Sequence, residues 1–154
     1  GFHLPLDAHP ELGNNAQLGK RLGFELEAWA GEQNLIAYGS LAAPLTLAEL
    51  EKHISGQLDR SPLVVGDAAR LIRRIAWCSG GAQGYFEAAS VLGVDAYLTG
   101  EASEQNVHYA QESGVAFIAA GHHATERYGI LALGEHLAAE FGLTHEYKEI
   151  PNPV

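Results

Sequence analysis

From Leu71 onward the chain runs three times through one pattern: a short apolar run, a glycine-bearing turn, then a segment with helical spacing. The runs are Leu71 to Cys78, Asp95 to Thr99 and Val115 to Ala120. The helical segments after them cover Gln83 to Leu92, Ser103 to Ser113 and Ala124 to Phe141. Runs this short and this continuously apolar suit strands buried on both faces. A helix between consecutive strands makes them parallel, because the chain must cross back over the sheet before pairing again, and that crossover is right-handed. The pattern predicts an α/β fold with a mostly parallel sheet and helices on both faces. A last strand is expected over Thr144 to Ile150.

The first half is less regular. Asn14 to Leu22 has helical spacing, with Asn14 or Asn15 able to cap it and Gly23 to end it. Phe24 to Ala30 alternates apolar and acidic residues as a half-exposed strand does, and Asn34 to Ala42 reads as another strand. Thr46 and Glu49 have capping-box spacing ahead of a helix that carries Leu47, Leu50 and Ile54 on one face, with Gly56 expected at its end. The chain opens at Gly1 rather than Met, and Phe2 to Leu6 reads as the tail of a strand with Asp7 at its end. The expectation is one α/β region over residues 1–154 that lacks an amino-terminal segment and therefore exposes a sheet edge and some apolar surface.

Charge narrows the function classes. At 154 residues and 47% hydrophobic the chain can bury one core, but its formal charge is -10 with only nine Lys and Arg. That balance opposes the counterion release by which proteins bind nucleic acid, and it disfavours acidic membranes. No apolar run approaches the roughly 18 residues needed to span a bilayer, and no basic segment precedes an apolar one. The lone cysteine, Cys78, has no internal disulfide partner and sits among Ile75, Ala76 and Trp77, which points to a reducing, cytoplasmic setting.

In a parallel α/β sheet the strand carboxyl ends and helix amino-termini share one edge, where backbone N–H groups and loop side chains converge. The three strand ends here carry Ser79-Gly80-Gly81, Gly100-Glu101 and Gly121-His122-His123-Ala124-Thr125-Glu126. If a helix starts near Ala124, His122 and Glu126 project to one side, at a spacing that lets an imidazole and a carboxylate share a divalent ion, while His123 points elsewhere. The same residues also suit a plain helix start, since an acidic first turn complements the helix dipole. Asp7, with His3 and His9 nearby, is either a turn-starting aspartate or a ligand. Asp7, His122 and Glu126 together make a nitrogen and oxygen set suited to zinc, manganese or iron(II), without the thiolates of a structural zinc site. Ser79-Gly80-Gly81 is a tight turn or an anion cradle. Glu101 faces either the crevice or solvent.

These segments carry a family resemblance. His3-Leu4-Pro5-Leu6-Asp7-Ala8-His9 followed by Gly13-Asn14-Asn15, then Thr99-Gly100-Glu101, then Gly121-His122-His123-Ala124-Thr125-Glu126 resemble, in order, the motifs of the NIF-three-like family, also called GTP cyclohydrolase I type 2 homologs. The resemblance covers nearly the whole chain. It implies an α/β protein that assembles as a toroidal hexamer and, when intact, holds two divalent metal ions (zinc, iron or manganese) per subunit. Asp7, His122 and Glu126 would be metal ligands, completed by a His-His pair that would precede Gly1, so none or one ion is expected in this chain alone. Glu104 and Gln105 stand where many relatives place histidines. The implied function is a metal-dependent hydrolase acting on a small molecule, which the family label would make a nucleotide, with Glu101 as a proton carrier. The alternative is a non-catalytic, ring-forming metal-binding or scaffold protein.

Overall fold

The structure, a computed structural model, describes residues 3–154. Its elements are α1 (Leu4–Asp7), α2 (Asn14–Leu22), β1 (Phe24–Ala30), β2 (Ile36–Thr46), α3 (Leu47–Leu58), β3 (Leu63–Val65), β4 (Leu71–Trp77), α4 (Phe86–Ser90), β5 (Ala96–Thr99), α5 (Glu104–Ser113), β6 (Ala116–Ala119), α6 (His122–Thr125) and α7 (Tyr128–Phe141). The six strands form one sheet in the order β1-β2-β4-β5-β6-β3.

The α/β class holds, but the sheet is mixed rather than mostly parallel. Only β4, β5 and β6 run parallel, and β1–β2, β2–β4 and β6–β3 are antiparallel. Chain length between strands explains the β1–β2 pair. The parallel strands are joined through helices, as expected, whereas β1 and β2 are linked by a connection too short for a crossover and must form a hairpin. That connection turns through Gly31, Gln33 and Asn34, all at positive φ. β3 is a three-residue strand on the far side of β6, too short to leave a periodic signal.

Period-two alternation in the central strands divides the core into two layers. Ile75, Trp77, Ala96, Leu98, Ala116 and Ile118 face one side, where α2 contributes Leu18 and Leu22 and α3 contributes Leu47, Leu50, Ile54 and Leu58. Ala76, Cys78, Tyr97, Phe117 and Ala119 face the other side, under Phe86 and Ala89 of α4 and Ala110 of α5. Phe86 anchors that second layer, with ring centroids 5.7 Å from Tyr97, 5.0 Å from Phe117 and 5.1 Å from Tyr109.

Local chemistry sets the helix ends. Thr46 and Glu49 form the expected capping box, with Thr46 N–H donating to Glu49 Oε2 at 2.8 Å and Glu49 N–H to Thr46 Oγ1 at 3.3 Å. The helix runs past Gly56 to Leu58, because Asp59 rather than the glycine adopts the left-handed conformation that ends it. Gly23 ends α2, but Gly13 occupies its N-cap position, and Asn14 and Asn15 are buried and bonded elsewhere. Leu4–Asp7 is one helical turn rather than a strand tail: His3 O accepts from the N–H groups of Leu6 at 2.9 Å and Asp7 at 3.1 Å. Phe2 lies outside the described residues.

The expected helix from Ala124 to Phe141 begins earlier and is broken in two around Glu126 and Arg127, whose φ values are -116° and -105°. Thr144 to Ile150 is not a strand, since β3 already occupies the sheet edge at β6. This tail is instead fixed by side chains: His123 and Arg127 hold Glu149, at 2.5 and 3.3 Å, and Arg60 donates to the Pro153 carbonyl at 2.5 Å. Ile130, Leu137 and Phe141 of α7 and Leu143 after it are exposed. No helix among the described residues is long and apolar enough to cross a membrane.

Ile54, fully buried in the first layer, is expected to cost about 2–5 kcal/mol when truncated to Ala, and Thr46→Ala about 1 kcal/mol through the lost cap. Urea unfolding at neutral pH measures both, and equal losses would contradict this account of α3.

Candidate metal centre

The loops that follow β4, β5 and β6 are packed backbone against backbone. Gly80 N–H donates to Thr125 Oγ1 at 3.0 Å, and that hydroxyl donates to the Gly121 carbonyl at 2.9 Å. Gly80 O accepts from Thr99 Oγ1 at 3.1 Å and from Gly100 N–H at 2.9 Å. Ser79 N–H donates to Asn15 Oδ1 at 2.7 Å, and Ala82 N–H to Thr99 Oγ1 at 3.2 Å. The Ser79 and Gly80 N–H groups are thus consumed internally, as in a tight turn. Glycine at position 80 is required twice over. Its φ is 67°, and a Cβ there would collide with the Glu126 carboxylate and lie 3.0 Å from His122 Nε2.

The close approach places His122 and Glu126 at the mouth of the loops. His122 Nε2 lies 2.9 Å from Glu126 Oε2, and His122 Nδ1 lies 2.6 Å from Glu101 Oε1. His123 turns away, onto Glu149. Across the cleft the helical turn α1 presents His3 and Asp7, with His3 Nδ1 2.8 Å from Asp7 Oδ2 and His3 Nε2 3.5 Å from Glu126 Oε1. Asn14 Nδ2 donates to the second Asp7 oxygen at 2.6 Å. His3, Asp7, His122 and Glu126 line one cleft of about 250 Å³, walled also by Leu35, Cys78, Ser79 and Tyr85.

The charges in the cleft are coupled. Burial, and then the neighbouring Asp7 carboxylate, raise the pKa of Glu126 above the ordinary carboxylate range. The charge of Asp7, reinforced by Glu126, raises that of His3. Glu101 is held below the ordinary range chiefly by its hydrogen bond with His122. Burial pushes the Cys78 thiol up to about 12.

Of the residues expected from the sequence, Asp7, His122 and Glu126 share this cleft, and Glu101 stands at its rim behind His122, also accepting from Gln83 Nε2 at 3.2 Å. Sequence reasoning passed over His3. One donor atom each from His3, Asp7 and Glu126 lie within 4.8 Å of one another, a set able to hold a metal ion. The signal was the spacing of His3 and Asp7, four apart like His122 and Glu126, which is meaningful only if the segment is helical. The donor set fits a divalent cation. It mixes imidazole and carboxylate, and a positive ion would offset the carboxylate repulsion that raises Glu126.

Comparison with known proteins identifies the family. The family model described as Duf34/NIF3 (NGG1p interacting factor 3) matches residues 1–153. The chain belongs to the DUF34/NIF3 family. It is 59% identical to a protein of Neisseria meningitidis serogroup B and 55% identical to one of Pseudomonas aeruginosa, each named GTP cyclohydrolase 1 type 2 homolog, over 100% and 99% of this chain. It spans 62% of the length of both. The solved structure of protein ybgI, described as of unknown function, superposes with a TM-score of 0.95 at 48% identity, covering 100% of this chain and 62% of that one. In this chain of the DUF34/NIF3 family the His3 to Asp7 turn and the His122 to Glu126 turn stand on two sides of one cleft.

Two measurements check this construction. Gly80→Ala is expected to lower the unfolding free energy by at least about 1–2 kcal/mol from the backbone conformation alone, and an unchanged urea midpoint would show that the loops do not pack as described. Cys78, 5% exposed with its thiol pushed up to about 12, is expected to resist iodoacetamide at pH 8 and to react once guanidinium unfolds the chain, because only the thiolate attacks. Alkylation of the folded protein at the rate of a free thiol would contradict that burial.

Proposed function

We propose that this chain carries a divalent-cation site formed by His3, Asp7, His122 and Glu126, and that the whole protein is a metal-dependent hydrolase acting on a small molecule. The observation that carries the reading is the convergence of two His-x-x-x-acid pairs, from opposite ends of the chain, on one cleft. A bound divalent ion would act as a Lewis acid and make water more acidic.

The chain's own residues have separable roles in this reading. Asp7 and Glu126 supply charge neutralisation, and His3 and His122 supply neutral nitrogen donors. Glu101, against His122 Nδ1, fixes the ring orientation and leaves Nε2 facing the cleft, as carboxylates behind ligating histidines do. Its position at the rim also suits the transfer of a proton between cleft and solvent. The name shared by the relatives, GTP cyclohydrolase 1 type 2 homolog, favours a nucleotide among small-molecule substrates. A homo-oligomer, a ring of six in the intact protein, and a cytoplasmic location complete the proposal.

Calorimetric titration of Zn²⁺ and Mn²⁺ into the chain, with and without Asp7→Ala, tests the site. Asp7→Ala is expected to weaken binding by more than the roughly 10–100-fold that loss of an outer-shell partner costs, and equal affinity would remove Asp7 from the ligand set. A hydrolysis screen over nucleotides with the metal-loaded, full-length protein separates the two functional classes. Turnover abolished by Asp7→Ala supports the hydrolase, whereas metal binding without turnover supports a ring-forming scaffold.

A further inference from the structure

We propose that Asn14, which donates no atom to the cleft, is a positioning residue that fixes the two halves of the cation site relative to each other. The inference rests on the metal-site reading above. Asp7 and Glu126 come from segments more than a hundred residues apart, and no strand pairing joins α1 to α6 or α7. One buried amide spans the gap. Asn14 Nδ2 donates to Asp7 Oδ1 at 2.6 Å, and Asn14 Oδ1 accepts from the Gly129 N–H at 2.7 Å, in the first turn of α7 just past Glu126. The partners fix the orientation of the amide, since a carboxylate only accepts and a backbone N–H only donates.

Burial gives these bonds their weight. Asn14 is 5% exposed and Asp7 6% exposed, so water cannot substitute for either bond, and the low local dielectric strengthens the charge-assisted one. The bond to Oδ1 also orients the Asp7 carboxylate. With that oxygen engaged from behind, Oδ2 is left facing His3 and the cleft. The fit on the α7 side is equally close. A Cβ on Gly129 would lie 2.5 Å from Asn14 Oδ1 and 2.9 Å from Asn14 Cγ, so glycine there lets the helix reach the amide. Asn14 therefore aims one ligand and sets its distance from the turn that carries the others.

The test is Co²⁺ binding to the 154-residue chain, followed by visible absorption, for the natural sequence, Asn14→Ala and Gly129→Ala. Asn14→Ala is expected to weaken Co²⁺ affinity by about 10–100-fold, the range for outer-shell partners of metal ligands, and to change the ligand-field bands of the saturated complex. A merely structural residue would lower the melting temperature and leave those bands unchanged. Gly129→Ala guards against a poorly folded Asn14 variant. The added Cβ would press on the Asn14 amide and on the Asn14 backbone N, 2.8 Å away, so it displaces Asn14 while keeping its bonding groups; compared at a temperature where its melting curve shows it folded, this variant is expected to lower Co²⁺ affinity at least tenfold. Unchanged affinity and bands in both variants, with the natural sequence binding Co²⁺, would overturn the role of Asn14 alone. Failure of the natural sequence to bind Co²⁺ would overturn the metal-site reading and this inference with it.

Discussion

The hydrogen bonds around Gly80 are the constraint on which the site depends. Gly80 gives its N–H to Thr125 and its carbonyl to Thr99 and Gly100, and Thr125 passes its own proton to the Gly121 carbonyl. Thr99 and Thr125 are fully buried, so each of these polar groups would stand unsolvated if its partner moved. The three loops are consequently one unit: none can shift by an ångström without breaking bonds in the other two. That rigidity allows His122 and Glu126 to sit against bare backbone, where any side chain on Gly80 would displace them.

A second constraint ties this unit to the rest of the sheet. Asn15 is fully buried at the start of α2. Its side chain bonds the Leu35 carbonyl at 2.8 Å and the Ser79 N–H at 2.7 Å, and its own carbonyl accepts from the Trp77 indole at 2.8 Å. Gly19, one turn later, leaves room for the Trp77 ring, which a Cβ would approach to 2.7 Å. Helix α2 is therefore seated on β4 by both packing and polar bonds, and the Asn15 bonds specify a depth and a register that apolar contact alone would leave loose. The same helix carries Asn14 toward Asp7, so the sheet's position is transmitted to the cleft in a single turn.

How much of this was legible in the sequence follows from the range of the interactions. The β4-to-β6 strands, α5 and the Thr46–Glu49 cap were visible because apolar continuity, capping and helical spacing are local properties. The antiparallel flanks were not, because the direction of a strand is set by the length and route of its connection rather than by its composition. The three-residue strand β3 exists only because β6 offers a partner. Asn14 and Asn15 looked like caps, the usual use of asparagine before a helix, and were instead recruited by tertiary partners. Reading Phe2 to Leu6 as extended hid His3, since on a strand His3 and Asp7 share no contact that depends on four-residue spacing. The His122 and Glu126 pairing was legible because its spacing is local. Its convergence with Asp7 is a property of the fold, which motif order along the chain could suggest but not position.

The order of charges in the cleft explains why tertiary placement matters so much. Asp7, His3, Glu126, His122 and Glu101 form a run in which acid and imidazole alternate, with successive separations of 2.8, 3.5, 2.9 and 2.6 Å. The four-residue spacing provides the 2.8 and 2.9 Å contacts within the two turns, the 2.6 Å contact reaches from His122 to the loop after β5, and the longest of the four, from His3 to Glu126, is the one that joins the two turns. Glu126 lies at that crossing, where burial and Asp7 make its negative charge least comfortable. A positive centre introduced into the run gains most there, because it meets carboxylates from both segments while imidazoles on each side remain free to act as neutral donors. The breaks in backbone regularity at Glu126 and Arg127, between α6 and α7, follow from the same demand. A continuous helix from His122 would carry Arg127 and α7 onward in one direction, whereas the break lets Glu126 face the cleft, Arg127 reach Glu149 and Gly129 meet Asn14.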